Sequence, residues 1–131
     1  MSNRKVILIV DDQSDIRKLI RMTLELGDCD IYEADTGESG WHMVKALRPD
    51  LVLLDVMMPG SLDGYQVCQK INMEPSLRHI PVILLTARAQ QSDFETGRKA
   101  GAKAYLTKPF SPLELIDTVD EQLAEAKKMA A

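Results

Sequence analysis

The sequence predicts an α/β fold in which a doubly wound, five-stranded parallel sheet is covered by five helices. Five short apolar runs alternate along the chain with amphipathic stretches. The first of these runs, "KVILIVDD", does not alternate apolar with polar residues, so both faces of its strand are expected to be buried. Strands that alternate with helices pair in parallel through right-handed crossovers, which places helices on both faces of the sheet.

The first strand is predicted from the run "KVILIVDD", which is rich in β-branched residues. After it, Ile16, Leu19, Ile20 and Leu24 recur at the spacing of one helical face, and Gly27 follows as a stop signal. This part of the chain therefore predicts a strand that leads into a helix packed on the sheet.

The second strand, "CDIYEAD", precedes a helix with Met43, Val44 and Leu47 on one face and Pro49 at its end. The third strand, "DLVLLD", ends in Asp55. A helix around "YQVCQKIN", the strand "PVILLTA", a helix around "SDFETGRKAG" and the strand "KAYLT" follow.

The last helix opens with "SPLE". Ser111 can cap it, Pro112 suits its first turn, and Glu114 can close a capping box.

Length and composition predict one domain over residues 1–131, since 45% hydrophobic content is enough for a core. The net charge of -4 argues against direct nucleic-acid binding, which needs clustered Lys and Arg. No stretch approaches the roughly 20 apolar residues of a membrane span, so a cytoplasmic location and no membrane partner are expected. Cys29 and Cys68 form no CxxC motif and are expected to be reduced packing residues.

Polar residues end four of the predicted strands. Asp11 and Asp12 end the first, Asp55 the third, Thr86 the fourth and Lys108 the fifth. Functional groups of parallel sheets gather beyond the carboxyl ends of the strands, so these five side chains are expected to meet at one edge.

Each of these residues has a simpler explanation when it is taken alone. Asp11 or Asp12 could cap a helix, Asp55 and Thr86 could serve turns, and Lys108 could be a solvated surface charge. Placement of all five at the ends of four strands is harder to produce by chance, and this joint pattern favours a functional site.

The acidic residues predict a cation. Two carboxylates ~4 Å apart repel by about 4 kcal/mol at an effective dielectric of 20, a large share of the roughly 5–15 kcal/mol that keeps a domain folded. Oxygen ligands suit Mg²⁺, which commonly joins carboxylates to a phosphate. Lys108 supplies a point charge and Thr86 a hydroxyl donor for that phosphate. The set suits phosphoryl transfer to an aspartate.

The sequence resembles the receiver domain of two-component response regulators over about residues 4–126. The resemblance rests on "VDD", "LLDVMMPG", "LLTA" and "YLTKPF". It implies a flavodoxin-like fold with strand order 2-1-3-4-5. It also implies a phosphoacceptor signalling domain, not an enzyme, that has self-phosphotransfer and autodephosphorylation chemistry.

The resemblance assigns roles to the site residues. Asp55 would accept a phosphoryl group from a histidine kinase or histidine phosphotransfer protein. The Mg²⁺ ligands would be Asp12, Asp55 and the backbone carbonyl of Met57, with Asp11 acting through a water. The catalytic set would be completed by Lys108 and Thr86, and the phosphoryl group would also contact Val56, Met57 and Ala87.

The resemblance further implies a conformational switch. Thr86 would move toward the phosphoryl group, the ring of Tyr105 would turn inward, and the bond before Pro109 would be cis. The surface formed by the fourth helix, fifth strand and fifth helix would then bind a downstream effector protein or domain, or form a phosphorylation-dependent homodimer.

Two features concern the surroundings of the phosphoacceptor. Gly64 stands nine positions after Asp55, where receiver domains usually have eight, so this loop is expected to be one residue longer. By resemblance, Met57 and Arg88 would flank the path of the hydrolytic water. Neither side chain is a good hydrogen-bond acceptor for that water, so slow self-dephosphorylation is expected.

Two other functions compete with the signalling role. A phosphatase of the haloacid-dehalogenase type also uses an aspartate nucleophile and Mg²⁺, but it needs a second aspartate two positions later, where this chain has Met57. A receiver-like domain that only binds partners would not need all five site residues. The two histidines, His42 and His79, have no neighbouring ligands in the sequence and do not indicate a transition-metal site.

Overall fold

The computed structural model describes residues 4–25, 27–87 and 91–130, and strands alternate with helices throughout these ranges. In chain order the elements are β1 (Lys5–Val10), α1 (Ser14–Leu24), β2 (Cys29–Ala34), α2 (Gly37–Leu47), β3 (Leu51–Asp55), α3 (Gly64–Met73), β4 (Val82–Thr86), α4 (Gln91–Ala100), β5 (Ala104–Thr107) and α5 (Pro112–Ala130). No helix of the described ranges is both long and apolar enough to cross a bilayer.

The five strands form one parallel sheet in the order β2-β1-β3-β4-β5, which confirms the predicted fold class. Its register aligns the carboxyl ends of the central strands. Asp55 pairs with Leu85, and the next residue, Thr86, pairs with Thr107. The polar residues that end these strands are therefore delivered to the same edge of the sheet.

Alternating side chains of each strand pack on opposite faces of the sheet and create two core clusters. Leu8, Val10 and Leu54 belong to one cluster, together with Val44 of α2 and Val67 of α3. The other cluster lies on the opposite face of the sheet. It joins strand residues such as Ile7, Ile9 and Leu53 to Ile20 of α1 and Leu115 of α5. All residues of β3 and β4 are buried, as their uniformly apolar sequences predict.

The predicted face of α1 is wrong in one position. Ile20 and Leu24 are buried and Ile16 packs partly against the core, whereas Leu19 is 41% exposed. The buried stripe follows the four-residue spacing of Ile16, Ile20 and Leu24, and Leu19 lies on its flank. The helix also ends at Leu24, before the predicted stop at Gly27.

The predictions for the start of α5 and for the two cysteines are confirmed, and the structure also places Trp41. Ser111 and Glu114 form the capping box of α5, with hydrogen bonds of 3.1 and 3.3 Å between each side chain and the other residue's backbone N–H. Cys29 and Cys68 are free thiols. Trp41 is partly exposed and packs against the first core cluster, with Lys45 4.9 Å from its ring centroid.

The loop between β3 and α3 leads into Gly64, the first residue of α3. The N–H of Gly64 donates to the carbonyl oxygen of Val56 at 3.0 Å. A Cβ added to Gly64 would lie 2.1 Å from the backbone oxygen of Asp55. Glycine is therefore needed where α3 starts against the end of β3.

Glu38, in the first turn of α2, holds the loop before Gly64. Its Oε1 atom accepts hydrogen bonds from the hydroxyl of Ser61 and the N–H of Leu62, both at 2.8 Å. These bonds lower the pKa of Glu38, the larger effect coming from Ser61. Gly60 takes the left-handed conformation next to this carboxylate, with φ of 109°. The loop is thus attached to α2 as well as to the sheet.

Glu38→Ala should loosen the loop, because two hydrogen-bond donors lose their acceptor. Amide hydrogen exchange at Leu62 is expected to become several-fold faster, whereas Glu38→Gln should restore slow exchange, since its amide oxygen can accept the same bonds. Glu121→Ala, which removes an exposed glutamate of α5, is the matched control. Unchanged exchange at Leu62 in Glu38→Ala would contradict the role given to Glu38.

Candidate functional site

Three aspartates lie together at the carboxyl edge of the sheet. Asp11 and Asp12 follow β1, Asp55 is the last residue of β3, and one carboxylate oxygen from each lies within 4.8 Å of the others. Asp11 is fully buried and Asp55 is 4% exposed, whereas Asp12 is exposed. The strands therefore impose a concentration of negative charge in a place with little water.

Lys108, which follows β5, brings the compensating charge. Its Nζ atom lies 2.9 Å from Oδ2 of Asp11 and 3.4 Å from Oδ1 of Asp55. The backbone N–H of Lys108 also donates to the carbonyl oxygen of Thr86 at 2.7 Å, and the Lys108–Pro109 peptide bond is cis, as predicted. The loop after β5 thus directs the ammonium group back over the acidic cluster.

Thr86 ends β4 next to Asp55 on β3 and is 2% exposed. Ala87 follows it at the surface. The structure thus places Thr86 and Ala87 at the edge that holds the aspartates. Arg88, the other predicted residue of this segment, lies outside the described residues.

Asp11 is fixed by contacts that the sequence did not reveal. Its Oδ1 atom accepts the backbone N–H of Gln13 at 2.8 Å, so together with Lys108 both carboxylate oxygens are engaged. Its backbone oxygen accepts a guanidinium N–H of Arg17 at 2.7 Å, and Arg17 also pairs with Glu33 of β2 at 3.0 Å. Asp11 is therefore held from α1 as well as from the sheet.

Gln13 and Arg17 were missed because their contacts connect separate elements. Gln13 accepts a hydrogen bond from Lys108 at 3.1 Å, across 95 positions of the chain. The sequence feature that could have pointed to Gln13 is its position directly after Asp11 and Asp12.

Burial and the negative charge of Asp11 raise the pKa of Asp55 to about 7, in that order of importance. The positive charge of Lys108 acts in the opposite direction, as does the N–H of Met57, which donates to Asp55 Oδ1 at 3.3 Å. One ammonium group thus offsets only part of the repulsion. A cation added to the cluster would favour the ionised form of Asp55.

Met57 and Met58 differ in their surroundings. Met58 is 8% exposed and packs in the first core cluster, but Met57 is 57% exposed. Met58 therefore belongs to the core under the loop, whereas Met57 lies at the surface. Val56 is buried, and its N–H donates to the carbonyl oxygen of Leu85 at 3.0 Å.

The ring of Tyr105 lies against α4. Its hydroxyl donates to the backbone oxygen of Phe94, and the two rings meet edge to face with centroids 5.0 Å apart. A Cβ added to Gly97 would lie 2.6 Å from the Tyr105 ring, so glycine makes this close packing possible. Burial raises the pKa of the Tyr105 hydroxyl. Tyr105 therefore joins β5 to α4.

The two histidines lie on the surface, at exposed positions. Within the described ranges, the aspartates 11, 12 and 55 are the single group of three His, Cys, Asp or Glu residues placed closely enough to share a metal ion. The oxygen-only character of this group favours a hard cation over a transition metal.

A parallel 2-1-3-4-5 sheet with a buried aspartate, two neighbouring aspartates and a lysine at its carboxyl edge defines a phosphoacceptor signalling module. Residues 7–120 match the family model described as the response regulator receiver domain. The chain belongs to this family. Receiver domains act in two-component systems and bind Mg²⁺ at an acidic cluster, with input from histidine kinases and output to downstream effectors.

Individual relatives agree with this assignment. The chain is 39% identical to the transcriptional regulatory protein ResD of Bacillus subtilis, covering 97% of this chain and 51% of ResD. It is 38% identical to the phosphate regulon transcriptional regulatory protein PhoB of Pseudomonas aeruginosa, covering 86% of this chain and 48% of PhoB. The chain thus spans about half the length of these curated relatives.

A solved structure agrees as well. The response regulator receiver domain protein of Methanospirillum hungatei superimposes with a TM-score of 0.89 at 28% identity, covering 97% of this chain and 99% of that one.

The raised pKa of Asp55 predicts a pH dependence of stability in the absence of divalent cations. The folded state keeps this proton up to about pH 7, whereas an unfolded aspartate releases it near about pH 4. The contribution of Asp55 to the free energy of unfolding should therefore be full below about pH 4 and be lost as pH rises toward 7. Urea unfolding of the wild type and Asp55→Asn measures the difference.

Asp55→Asn should gain stability relative to the wild type as pH rises, because its side chain cannot ionise. Asp117→Asn, at an exposed position of α5, serves as the control. A stability difference between Asp55→Asn and the wild type that stays constant from pH 4 to 7 would refute this account of Asp55.

Proposed function

We propose that the chain is a phosphorylation-dependent receiver of a two-component phosphorelay and that Asp55 is its phosphoacceptor. The observation that carries this proposal is the buried Asp55 carboxylate, with the ammonium group of Lys108 3.4 Å away and two further aspartates around it. The phosphoryl donor is a histidine kinase or a histidine phosphotransfer protein.

In the proposed reaction, a carboxylate oxygen of Asp55 attacks the phosphorus atom of a phosphohistidine. The P–N bond breaks, the imidazole leaves with the bond's electron pair and takes up a proton, and an aspartyl phosphate forms. The residues around Asp55 mainly position the reactants and offset negative charge. Lys108 supplies positive charge, while the hydroxyl of Thr86 and the N–H of Met57 and Ala87 are proposed donors to the phosphoryl oxygens.

The backbone N–H of Val56 is less well suited to donate to the phosphoryl oxygens. Its N–H already donates to Leu85 within the sheet. A contact from Val56 to the phosphoryl group stays a prediction, but it would require this hydrogen bond to be shared.

The acidic cluster fits Mg²⁺. Asp12 and Asp55, with the carbonyl of Met57, are the proposed direct ligands, and Asp11 acts through a water. The engagement of both Asp11 oxygens by Gln13 and Lys108 supports its indirect role, while the exposed Asp12 carboxylate lies close to that of Asp55. When bound, Mg²⁺ supplies positive charge between the carboxylates and the phosphoryl group.

The proposed output surface comprises α4, β5 and α5. Leu84 pairs with Tyr105, and side chains two residues apart share a face, so Thr86 and Tyr105 belong to the same face of the sheet. Movement of Thr86 toward the phosphoryl group would favour an inward position of the Tyr105 ring, which now contacts α4. The partner is a downstream effector protein or domain, with a homodimer as the alternative.

The proposed receiver unit is residues 4–126, within a single domain over residues 1–131. The relatives ResD and PhoB are transcriptional regulators by name, and about half of each lies outside the match. Any contact with nucleic acid is proposed to belong to such an effector, because the present chain has a net charge of -4.

Incubation with acetyl phosphate and Mg²⁺ should add one phosphoryl group to the intact mass of the wild type and none to Asp55→Asn. No gain in the wild type would favour a domain that only binds partners. Continuous release of phosphate from many donor molecules without a phosphorylated intermediate would favour a phosphatase instead.

Mg²⁺ should raise the melting temperature of the wild type, because it relieves repulsion among the three aspartates. Asp12→Ala should raise the melting temperature in EDTA for the same reason and should abolish the response to Mg²⁺. Thermal unfolding with and without Mg²⁺ measures both effects. Asp120→Ala, at an exposed position of α5, is the control. An Asp12→Ala variant less stable than the wild type in EDTA would count against this explanation.

Phosphorylation of Asp55 should be long-lived. Met57, two positions after Asp55, has a thioether side chain. Neither this side chain nor that of Arg88 is a good hydrogen-bond acceptor for the hydrolytic water. The double variant Met57→Asn with Arg88→Glu should shorten the half-life of the phosphoprotein by ~10-fold, equivalent to about 1.4 kcal/mol of the barrier. Loss of phosphoryl mass after donor removal measures it, and an equal decay rate in both proteins would disprove the role of these side chains.

A further inference from the structure

Gln13 occupies the N-cap position of α1 without capping the helix. N-cap residues are usually Ser, Thr, Asp or Asn, whose side-chain oxygen accepts a backbone N–H of the first turn. The side chain of Gln13 makes no such bond. Instead, its Oε1 atom accepts a hydrogen bond from Nζ of Lys108 at 3.1 Å. The side chain thus serves a contact outside the helix.

The surroundings of Lys108 show what this contact does. An ammonium group has three N–H donors, and Nζ has oxygens of Asp11, Gln13 and Asp55 at 2.9, 3.1 and 3.4 Å. The two shorter contacts both lie where β1 leads into α1, and the longest is to Asp55. Asp11 and Gln13 thus accept hydrogen bonds from the ammonium group, and Asp55 lies within ion-pair distance of it.

Gln13 also braces the other acceptor, Asp11. Its backbone N–H donates to Oδ1 of Asp11 at 2.8 Å, while Oδ2 of the same carboxylate accepts from Lys108. Gln13, Asp11 and Lys108 therefore close a ring of hydrogen bonds. The amide provides this acceptor without adding a fourth negative charge to the cluster.

We propose that Gln13 is a positioning residue, whose amide oxygen holds the ammonium group of Lys108 beside Asp55 and the phosphoryl group carried there. This inference rests on the proposed function of Asp55. It goes further by giving a role to a residue that has no chemistry of its own in phosphoryl transfer.

Gln13→Asn separates positioning from helix capping. Asn is a favoured N-cap residue, but its side chain is one methylene shorter and would not reach Lys108. The variant should therefore raise the melting temperature, by about 3 °C. It should also bind beryllofluoride, an analogue of the phosphoryl group, about fivefold more weakly in the presence of Mg²⁺, as expected for one lost hydrogen bond. If Gln13 acted only on the helix, this affinity would not fall.

A double-mutant cycle with Lys108→Ala identifies the path of the effect. Gln13→Asn should weaken beryllofluoride binding in the wild type and have no further effect once Lys108 is absent. Gln69→Asn, at an exposed position of α3, is the matched control and should change neither affinity. An unchanged affinity in Gln13→Asn, or an equal loss in both backgrounds, would overturn the inference.

The NMR signal of the Lys108 side-chain nitrogen provides a readout that does not depend on phosphoryl chemistry. In the protein without beryllofluoride, Gln13→Asn should shift this signal and Gln69→Asn should not. An unchanged signal would overturn the inference by itself. If the wild type accepted no phosphoryl group, the proposed function would fail, and a shifted Lys108 signal would still establish the contact with Gln13.

Discussion

The structure depends on holding three carboxylates near one ammonium group at the edge of a sheet in which β3 and β4 are buried throughout. Asp11 and Lys108 are 97 positions apart in the chain, yet their charged atoms are 2.9 Å apart. Repulsion between two such carboxylates, about 4 kcal/mol, is comparable with the whole stability of many domains, about 5–15 kcal/mol. The apolar strands must therefore supply enough stability to keep these charges together, and Lys108 must offset part of their repulsion.

The same constraint explains why the surroundings of the site are attached so firmly. Arg17 connects the backbone of Asp11 to Glu33 on the edge strand β2. On the other side, Gly64 lets α3 start directly against the end of β3, and Glu38 holds the loop between them. Charged groups that would otherwise separate are thus fixed by neighbouring helices.

The proposed signal begins at this cluster and ends at α4. Thr86 and Tyr105 share a face of two paired strands, and the Tyr105 ring packs closely over Gly97. In the proposed signal, a change of charge at Asp55 would act on the packing of α4 through Thr86 and Tyr105. Gln13, at the start of α1, also connects this helix to the cluster. Its side chain accepts a hydrogen bond from Lys108, and its backbone N–H donates to Asp11. Local rearrangement around a rigid sheet suits a reversible signal.

The sequence alone determined the fold and the residues of the central cluster. Uniformly apolar runs require strands buried on both faces, and the polar residue after each run is carried to the same edge. Tertiary structure decided the contacts of Gln13, Arg17 and Glu38, the exposure of Leu19 and Met57, and the distribution of charge between Lys108 and the aspartates. These features depend on distances between side chains of separate elements, and neither local periodicity nor residue type determines such distances.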